Sequence, residues 1–465
     1  MDRMAPFATM RGWLRHLMNT DRLATARPGV SLSYEIAAIA KRLDGEKAVI
    51  FPNPGGHAMP IVSGLVGNRR WMAEALGVPL NALHTTFRHA AEHPALWAEV
   101  PQASAPCQQH VHRNADVRAL LPIPLHNEHD SGPYITAGLV IARNPSTGIQ
   151  NVSINRIQVN APDRMATLLL PRHLHAFYRM AEQKGEALPV AVVIGVDPIT
   201  LLASQAVASL DCDELEIASA LHGVPLRVAK CLTNDVRVPA EAEIVIEGRL
   251  LPGVREMEGP FGEFPRYYSP QDAREVIQID CITHRANPLY HTIVPAGMEH
   301  LLLGGIPREA TILSHLQRAF PNVLDLHLAE GGVCRYHLYV QIKKVREGEP
   351  KNMIMAAFGA HYDIKQVIIV DDDVDVHDAE QVEWAVATRF QADRDLVVVG
   401  NALGSILDPS ADHGISAKMG LDATRPLKYE GLTFTKTRIP GELEVDFARD
   451  LRAIDRSTIA KYLAD

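Results

Sequence analysis

The sequence contains few cysteines, no long apolar run and no excess of basic residues. Its five cysteines are scattered and never spaced as C-x-x-C, which argues against a disulfide framework and a structural zinc knot. No run approaches the ~20 apolar residues of a membrane span, and charges interrupt the N-terminal stretch where a signal peptide needs an apolar core. We therefore expect a protein of the reducing cytoplasm. The cysteines are Cys107, Cys212, Cys231, Cys281 and Cys334.

The charge balance is mildly acidic. With 46 Lys and Arg residues against 55 Asp and Glu residues, the net charge is −9, so neither nucleic acid nor an anionic membrane is expected as a partner. A chain of 465 residues that is 47% hydrophobic can bury more than one core. Two or three domains follow from this size.

The patterns predict an α/β (α+β) fold. An amphipathic first helix, a helical pattern over 34–43 and a strand-like run over 48–51 indicate an N-terminal α/β lobe, residues 1–105. Residues 106–305 form a second region, in which short β-branched runs predict a sheet or partly open barrel. Those runs cover 134–142, 152–159, 191–196, 243–247, 276–282 and 290–294.

A linker helix is predicted over 306–320, with Pro307 at its first position and Phe320 near its end. A C-terminal α/β domain follows, residues 321–430. Within it the strand-like runs 365–370 and 395–399 flank a helical stretch, 379–389, which predicts a β-α-β unit with parallel strands. The remaining tail, 431–465, ends in a short helical pattern and is expected to dock on a neighbouring subunit.

The most informative segment for chemistry is Glu258-Gly-Pro-Phe-Gly-Glu263, in which two carboxylates flank a sharp turn. Two acids aimed into one pocket cannot both ionise cheaply, so one is pushed towards holding a proton at neutral pH. An isolated pair with this spacing is more often a solvent-exposed acidic turn.

A second segment, 151–156, carries a cation, Arg156, in a polar strand. Period-2 alternation puts Asn151 and Arg156 on opposite faces, so a joint role requires Asn151 to lie in a loop or bulge before the strand. Alone, Arg156 would more often be a charge at a strand edge.

Three side chains could bind a divalent ion and a phosphate. Asn151, His173 after Arg172, and Glu214 offer two oxygen ligands and an imidazole, a mixture suited to manganese. A competing ligand set, His110 and His112 with Cys107, is more typical of a solvated loop. The acidic run 371–373 could also hold a metal, but at a strand end it is more often a solvated turn.

Several ordered motifs together resemble the UbiD family of decarboxylases over essentially the whole chain. They are 122–126 (PIPLH), 132–138 (GPYITAG), 151–156 (NVSINR), 238–248 (VPAEAEIVIEG), 258–263 (EGPFGE) and 418–424 (KMGLDAT). The resemblance implies a central split β-barrel that binds prenylated flavin mononucleotide beside a divalent metal, usually manganese, and often potassium. It also implies a C-terminal oligomerisation domain, a homo-oligomer (dimer or hexamer), and a separate flavin prenyltransferase as the source of the cofactor.

The same resemblance assigns residue roles. The catalytic set would be Arg156, Glu258 and Glu263, with Glu263 as proton donor. Metal ligands would be Asn151, His173 and Glu214. The cofactor would also contact Ser153, Ile154, Asn155, Arg156, Arg172 and Lys418. A cofactor is chemically necessary, because CO2 loss from an sp2 carbon leaves electrons that simple acids and bases cannot stabilise.

The retained group of the substrate is suggested by His300 and Arg308. Two cations near the start of the predicted linker helix could hold a second carboxylate, and the spacing resembles members that decarboxylate furan-2,5-dicarboxylate to 2-furoate. The alternative is that Arg308 pairs with Glu299 or Glu309 and His300 only packs. Hydroxybenzoates, pyrrole-carboxylate and other unsaturated acids remain alternative substrates, and a flavin-binding assembly protein or a metal-dependent hydrolase remain alternative functions.

Overall fold

A computed structural model describes residues 4–451 and 453–463 of the chain. The ends of the predicted N-terminal lobe and of the predicted tail, residues 1–3 and 464–465, and Arg452 lie outside the described residues. Chain contacts separate two compact units, one up to Thr424 and one from Arg425 onward. The fold is a mixed α/β fold, as predicted, with several sheets and helices.

The N-terminal region begins with the predicted amphipathic helix, Met10–Asn19. The Thr9 hydroxyl caps it by accepting from Gly12 N at 3.0 Å, and its buried residues include Trp13 and Leu17, one turn apart. A four-stranded sheet and further helices follow. The strands are Leu23–Thr25, Ala48–Phe51, Ile61–Ser63 and Tyr290–His291, and the helices are Glu35–Arg42, Arg69–Leu76 and Leu83–Glu92.

The central region is built on a nine-stranded sheet. Its ladder runs from Tyr134–Ile135 at one end to Gln150–Ile154 at the other, and these end strands do not pair with each other among the described residues, so the sheet is open rather than a closed barrel. Both of its faces are apolar, because helices and smaller sheets cover them. In order, the strands are Tyr134–Ile135, Ile157–Ala161, Arg164–Thr167, Asp272–His284, Ile244–Glu258, Leu188–Ile194, Leu139–Arg143 and Gln150–Ile154, with His110–Arg113 on Asp272–His284.

Smaller elements surround this sheet. Two minor sheets and four further helices complete the central region. The strands are Ala98–Glu99, Arg227–Lys230, Arg237–Pro239, Phe261–Gly262 and Tyr268–Ser269, and the helices are Val117–Leu120, His173–Glu182, Pro198–Ala203 and Glu214–His222.

The linker helix is longer than the sequence predicted. It spans Met298–Ala319, and Pro307 lies inside it rather than at its start. Proline favours a helix start on local grounds, but here tertiary contacts hold the preceding turns. The buried Glu299 carboxylate accepts from Gly64 N at 2.8 Å and Leu65 N at 2.9 Å, which ties the first turn to the N-terminal region.

The C-terminal sheet corrects another prediction. The strands Gln366–Asp371 and Leu396–Leu403 and the helix Ala379–Arg389 all form, but the two strands are not parallel neighbours. Ile415–Ala423 lies between them, parallel to the first and antiparallel to the second. The strand Ile415–Ala423, which was not part of the predicted β-α-β unit, therefore determines the direction of Leu396–Leu403. Val323–Leu328, His337–Ile342 and the helix Glu349–Ala360 complete this region.

The second unit, from Arg425 onward, contains the short helices Phe447–Asp450 and Arg456–Ala460. Across the described part of the chain, none of the helices combines the length and the apolar character that crossing a bilayer demands.

Candidate active site

One large cavity brings most of the predicted site residues together. Its volume is about 890 Å³, and its walls come from the central sheet, the helix Met298–Ala319 and loops of the C-terminal region. Eleven predicted residues line it, namely Asn151, Ser153, Ile154, Asn155, Arg156, Arg172, His173, Glu214, Glu263, His300 and Arg308. Glu258 lies directly behind Arg156, whereas Lys418 is not part of the lining.

Arg156 joins the two acids of the turn. Its Nη1 donates to Glu263 Oε1 at 2.6 Å and its Nη2 donates to Glu258 Oε2 at 2.8 Å. Nη1 also donates to the Ser269 hydroxyl at 2.9 Å, and the guanidinium lies over the Phe261 ring, 5.4 Å from its centroid. The segment is therefore not a solvent-exposed acidic turn, because both acids are buried on a shared cation.

The turn geometry explains how both acids reach Arg156. Glu258 ends the strand Ile244–Glu258, and Gly259 then adopts φ +88°. A Cβ at Gly259 would lie 2.8 Å from Pro270 O, so the close approach requires glycine. The Tyr134 hydroxyl donates to Glu258 Oε1 at 3.0 Å and accepts from Gly259 N at 3.0 Å. These bonds hold the first acid as a fixed carboxylate partner of Arg156.

The two acids differ in exposure. Glu258 is fully buried, whereas Glu263 lines the cavity. Burial raises the pKa of Glu263 above its ordinary value, although Arg156 opposes the shift. Glu263 can thus hold a proton at a higher pH than an exposed glutamate and faces the space where a substrate would lie.

Asn151 and Arg156 reach the same cavity, but the irregularity that allows this lies elsewhere than predicted. Asn151 lies within the strand Gln150–Ile154, not before it, and the chain leaves strand geometry at Asn155 and Arg156 before Ile157–Ala161 begins. The interruption between the two strands turns Arg156 towards the cavity that Asn151 also lines. An irregularity was needed, but it follows Asn151.

Asn151 and Glu214 form an oxygen-rich corner of the cavity. Asn151 Nδ2 donates to Glu214 Oε1 at 2.9 Å and Val152 N donates to Glu214 Oε2 at 2.6 Å. Asn151 Oδ1 is buried without a hydrogen-bond partner, which is costly unless a ligand satisfies it. Burial raises the pKa of Glu214 to about 8. An unpartnered amide oxygen beside a desolvated carboxylate fits a bound cation.

The first residues of two helices lie at this corner of the cavity. Asp213 caps the helix Glu214–His222 by accepting from Leu215 N at 2.9 Å, which places Glu214 at its first position. His173 is likewise the first residue of its helix, His173–Glu182, and also lines the cavity. Within residues 4–451 and 453–463, no three His, Cys, Asp or Glu side chains already converge as a metal cluster. The predicted set contains two such side chains and an amide, and its metal role stays a prediction.

Cations gather at another part of the cavity wall. Arg308 donates from Nε to His361 Nε2 at 3.2 Å, and its Nη1 donates to Gly304 O. Arg335 donates to Leu301 O at 2.9 Å. A Cβ at Gly304 would collide with both guanidiniums, so this glycine lets two buried cations approach the same helix turn. We call Arg308, Arg335, His300 and His361 the cationic cluster.

The electrostatics of the cationic cluster favour an anion. Burial and the neighbouring guanidinium of Arg335 lower the pKa of Arg308, and burial likewise lowers the pKa of Arg335. Burial lowers the pKa of His300 to about 3, so this ring is neutral rather than the second cation that the sequence suggested. Because Ala296 N donates to His300 Nδ1 at 3.2 Å, the proton of the neutral ring is on Nε2.

Arg308 does not pair with either acid of the alternative interpretation. Glu299 binds backbone N–H groups of residues 64–66, and Glu309 binds Arg69 at 2.6 Å and His84 at 2.9 Å on the N-terminal region. Those acids are satisfied elsewhere, which leaves Arg308 to face the cavity.

Two predicted phosphate contacts have other partners in this structure. Arg172 Nη2 donates to the Tyr362 hydroxyl at 3.0 Å, close to the cationic cluster. Lys418 Nζ donates to Tyr362 O at 2.7 Å and Ile364 O at 2.6 Å, so it contacts a residue of the cavity wall without lining the cavity itself. A contact of Lys418 with a cofactor phosphate stays a prediction and requires these two bonds to be exchanged.

Sequence reasoning missed Arg335, His361 and Tyr134. Arg335 follows a Gly-Gly turn in the loop after Val323–Leu328, and its only local signal is a cation beside glycines. Tyr134 stands inside one of the quoted motifs but carries no local mark of its bond to Glu258. The competing metal run at 371–373 is instead paired with Arg389, which donates to Asp371 at 2.7 Å and to Asp373 at 2.9 Å.

Comparison with known families matches three consecutive models. Residues 14–90 match the 3-octaprenyl-4-hydroxybenzoate carboxy-lyase N-terminal domain, residues 98–298 its Rift-related domain and residues 301–423 its C-terminal domain. Together these three models account for most of the chain.

Individual relatives agree. The chain is 41% identical over 399 residues to an anhydromevalonate phosphate decarboxylase of Methanothermobacter thermautotrophicus, covering 86% of this chain and 93% of that one. The UbiD-class enzyme HmfF from Pelotomaculum thermopropionicum, solved with FMN, superposes with a TM-score of 0.94 at 49% identity over 95% of this chain and 100% of that one. An evolved dimeric form of it with prenylated FMN has a TM-score of 0.89 at 46% identity over 95% and 99%.

Proposed function

This chain belongs to the UbiD family and is a carboxy-lyase, and on that premise we propose that it decarboxylates furan-2,5-dicarboxylate to 2-furoate with prenylated FMN. The observation that carries the proposal is one cavity shared by Glu263 on Arg156 and by the cationic cluster. Glu263 can protonate a carbon, and the cationic cluster can bind an anion. A planar diacid offers both a group to lose and a group to keep.

Arg156, Glu258 and Glu263 are the proposed acid and base groups. Glu258 is held against Arg156, since the Tyr134 hydroxyl and the guanidinium both donate to it. Glu263, whose pKa is raised by burial, takes up a proton and delivers it to the ring carbon that has lost CO2. Arg156 keeps the same orientation while Glu263 changes charge, because Glu258 and Ser269 hold its other N–H groups.

The cofactor and its ions are assigned to the other side of the cavity. Asn151 Oδ1, Glu214 and His173 would hold a divalent ion, proposed to be Mn2+, and Arg172 with Lys418 would meet a phosphate. When bound, prenylated FMN supplies the electron sink that the amino acids lack. Ser153, Ile154 and Asn155 line the wall between these ligands and Arg156. We also propose K+ and a separate flavin prenyltransferase as the source of the cofactor, both from the family resemblance.

The cationic cluster is the proposed site of the retained carboxylate. Burial lowers the pKa of both Arg308 and Arg335, and Arg335 lowers the pKa of Arg308 further, so a bound anion would stabilise the charged form of both side chains. His300 adds a neutral Nε2–H donor rather than a charge. A carboxylate with a flat ring suits a wall that also contains Phe264, which stacks against the Arg335 guanidinium at 5.3 Å.

A second candidate substrate is anhydromevalonate phosphate. A relative at 41% identity bears that activity in its name, and a phosphate would also be attracted to buried guanidiniums. In that case the cationic cluster would hold the phosphate instead of a second carboxylate. Hydroxybenzoates and pyrrole-2-carboxylate lack a second anionic group for it.

The test is a substrate panel with enzyme reconstituted with prenylated FMN. We expect release of CO2 from furan-2,5-dicarboxylate and much slower release from 2-furoate, pyrrole-2-carboxylate, 4-hydroxybenzoate and anhydromevalonate phosphate. Preference for anhydromevalonate phosphate would replace the diacid with the second candidate. Preference for a monoacid would remove the cationic cluster from substrate recognition.

A homo-oligomer is also proposed. The strand Leu396–Leu403 exposes Val398 at 63% and Leu403 at 60%, beside the exposed Ile415 on the next strand. An apolar edge of this kind commonly marks a protein–protein contact. Light scattering on the purified protein, with Val398→Lys as the disrupting variant, tests it.

A further inference from the structure

A chain of three buried side chains leads to the wall of the main cavity. Nε2 of His126, the last residue of the motif 122–126, lies 2.8 Å from the Thr292 hydroxyl. That hydroxyl lies 3.1 Å from the hydroxyl of Thr136, which belongs to the motif 132–138 and lines the cavity. All three residues are buried, and sequence reasoning assigned none of them a role. We call His126, Thr292 and Thr136 the hydroxyl relay.

The relay reaches the cavity close to the proposed acid and base groups. Ile135 and Ile157 are antiparallel partners in the central sheet, so Thr136 and Arg156 are the next residues along the same pairing. Both of these residues line the cavity. The Thr136 hydroxyl therefore belongs to the part of the wall that carries Arg156 and the acid bound to it, Glu263.

One unpartnered nitrogen sets the direction of the hydrogen bonds in the relay. Burial lowers the pKa of His126 to about 3, so the ring is neutral and carries a single proton. Its Nδ1 is buried and has no hydrogen-bond partner among the described residues. A buried N–H without an acceptor is rarer than an unsatisfied acceptor. The proton is therefore on Nε2, which donates to the Thr292 hydroxyl.

This direction is passed on to Thr136. The Thr292 hydroxyl accepts from His126, and in the described part of the chain its own proton has only the Thr136 hydroxyl as an acceptor. Thr136 Oγ1 also accepts from Ile293 N at 3.0 Å. A hydroxyl accepts two hydrogen bonds and donates one. Because both acceptor positions of Thr136 are filled, its proton is left for a ligand in the cavity.

The opposite tautomer of His126 would reverse the polarity of the wall. Nε2 would then accept from Thr292, which would accept from Thr136, and Thr136 would present a lone pair to the cavity instead of a proton. That arrangement leaves the buried Nδ1–H of His126 without an acceptor, which carries the full desolvation cost of a donor. The relay thus favours a donor at Thr136.

We propose that Thr136 donates a hydrogen bond to an oxygen of the bound ligand, and that His126 and Thr292 are positioning residues that keep its hydroxyl directed into the cavity. Two ligand oxygens fit this donor, a carbonyl of the flavin and the carboxylate of the acid. The proposal rests on the proposed function for the presence of a flavin and an acid beside Arg156. It does not depend on which acid is the substrate.

The first test compares Thr136→Val, which removes the hydroxyl, with Thr136→Ser, which keeps it. FMN is titrated into the purified full-length protein, and KM and kcat are measured on the acid of the panel that the reconstituted enzyme converts fastest. With a flavin carbonyl as acceptor, Thr136→Val should weaken FMN binding about 2- to 12-fold and shift its absorption band. With a carboxylate as acceptor, KM should rise about 10- to 150-fold while FMN binding is unchanged.

Thr136→Ser should behave like the wild type in both measurements, because it retains the donor. Thr283→Val is the matched control, since the Thr283 side chain is fully buried in the central sheet and its hydroxyl has no hydrogen-bond partner among the residues described. Circular dichroism establishes that the variants fold. Unchanged FMN binding and KM in Thr136→Val, or equal losses in Thr136→Ser and Thr136→Val, would overturn the role of the hydroxyl.

The second test addresses the positioning residues. His126→Leu removes the donor to Thr292, whose hydroxyl can then accept from Thr136 and turn that proton away from the cavity. The defect of Thr136→Val should therefore appear in part. Thr292→Val removes the competing acceptor, so the double variant H126L/T292V should recover FMN binding and KM relative to H126L.

Recovery in the double variant separates positioning from a purely structural role. Replacing both partners of a buried hydrogen bond by apolar groups costs little stability, so H126L/T292V should also fold. Losses that add up in H126L/T292V would overturn the positioning role of His126 and Thr292. A wrong assignment of the diacid would instead appear as a different preferred acid in the substrate panel, with the FMN titrations unaffected.

Discussion

Arg156 Nη1 lies 2.6 Å from Oε1 of Glu263 at the wall of the main cavity, where the two side chains are only 8% and 11% exposed. This contact sets two opposing influences on the acid. Burial raises the pKa of Glu263 and Arg156 lowers it, with burial the larger effect. An acid in this balance holds its proton to a higher pH than an exposed glutamate, which suits a proton donor in a catalytic cycle.

Replacing Glu263 by glutamine should remove the proton donor and leave the cofactor bound. Turnover should fall by at least about 100-fold, the lower range for loss of general acid–base catalysis. Decarboxylation and proton exchange at the product carbon are measured together with flavin absorbance. Glu186→Gln, an exposed glutamate, is the matched control. Near-normal exchange in Glu263→Gln would contradict the assignment.

Tyr134→Phe should disturb the site through Glu258. It deletes the hydroxyl that donates to the buried Glu258 Oε1, while Gly259 N keeps Gln158 Oε1 as an acceptor at 3.1 Å, so stability should fall by about 1–3 kcal/mol from the carboxylate oxygen left without this donor. Turnover should fall as well. Tyr178→Phe is the control, since Tyr178 is buried and bonds Glu182 at 2.6 Å. Equal turnover in the two variants would show that Glu258 needs no such support.

Arg308→Gln should selectively weaken binding of the diacid. Loss of a buried charge-assisted bond is worth about 1.5–3 kcal/mol, which raises the KM for furan-2,5-dicarboxylate about 10- to 150-fold. The rate on a monoacid should change little. Arg318→Gln, on the same helix with a 78% exposed side chain, is the control. A parallel loss on both substrate types would indicate a folding defect instead.

Divalent-ion affinity should rise with pH. Burial raises the pKa of Glu214 to about 8, so below that pH an ion must displace a proton from the carboxylate. Mn2+ affinity should therefore increase up to about tenfold per pH unit from pH 6 and level off above pH 8. Mn2+ titrations at fixed ionic strength measure it. A flat profile would mean that Glu214 does not ligate the ion.

The stability of the helix Met298–Ala319 should depend on His327. Burial lowers the pKa of this ring, but its bonds to Glu309 and Glu330 outweigh burial and raise it to about 9. The stabilisation is complete below the unfolded pKa of ~6.5 and is lost as the pH rises to about 9, up to about 3 kcal/mol in all. His327→Asn should reduce the pH dependence of the melting temperature over this range, compared with His413→Asn. An unchanged slope would contradict the coupling.

Much of the fold was predictable because it depends on local patterns. The helices Met10–Asn19 and Ala379–Arg389 and the strand Ala48–Phe51 appear where the hydrophobic patterns indicated them. The predicted start of the linker helix was wrong because Pro307 favours a helix start only on local grounds. The buried contacts of Glu299 stabilise additional turns before Pro307. The predicted direction of Leu396–Leu403 was wrong because this strand pairs with a later strand, Ile415–Ala423.

The residues of the candidate site divide in the same way. Motifs identified Arg156 and the two acids of the turn, Glu258 and Glu263, which are remote from Arg156 in sequence but meet it in the structure. Arg335 and Tyr134 were missed because each acquires its role only from a neighbour more than thirty positions away. The charge of His300 was misjudged, since a ring titrates according to its burial and its neighbours.

By itself the sequence determined the class of the protein: its secondary-structure periods, its acidic surface and the ordered motifs of a carboxy-lyase family are all local or compositional properties. Only the tertiary structure decided which side chains share a cavity and which imidazoles are neutral. Those properties depend on distance and desolvation, and both come into existence only when remote segments pack together.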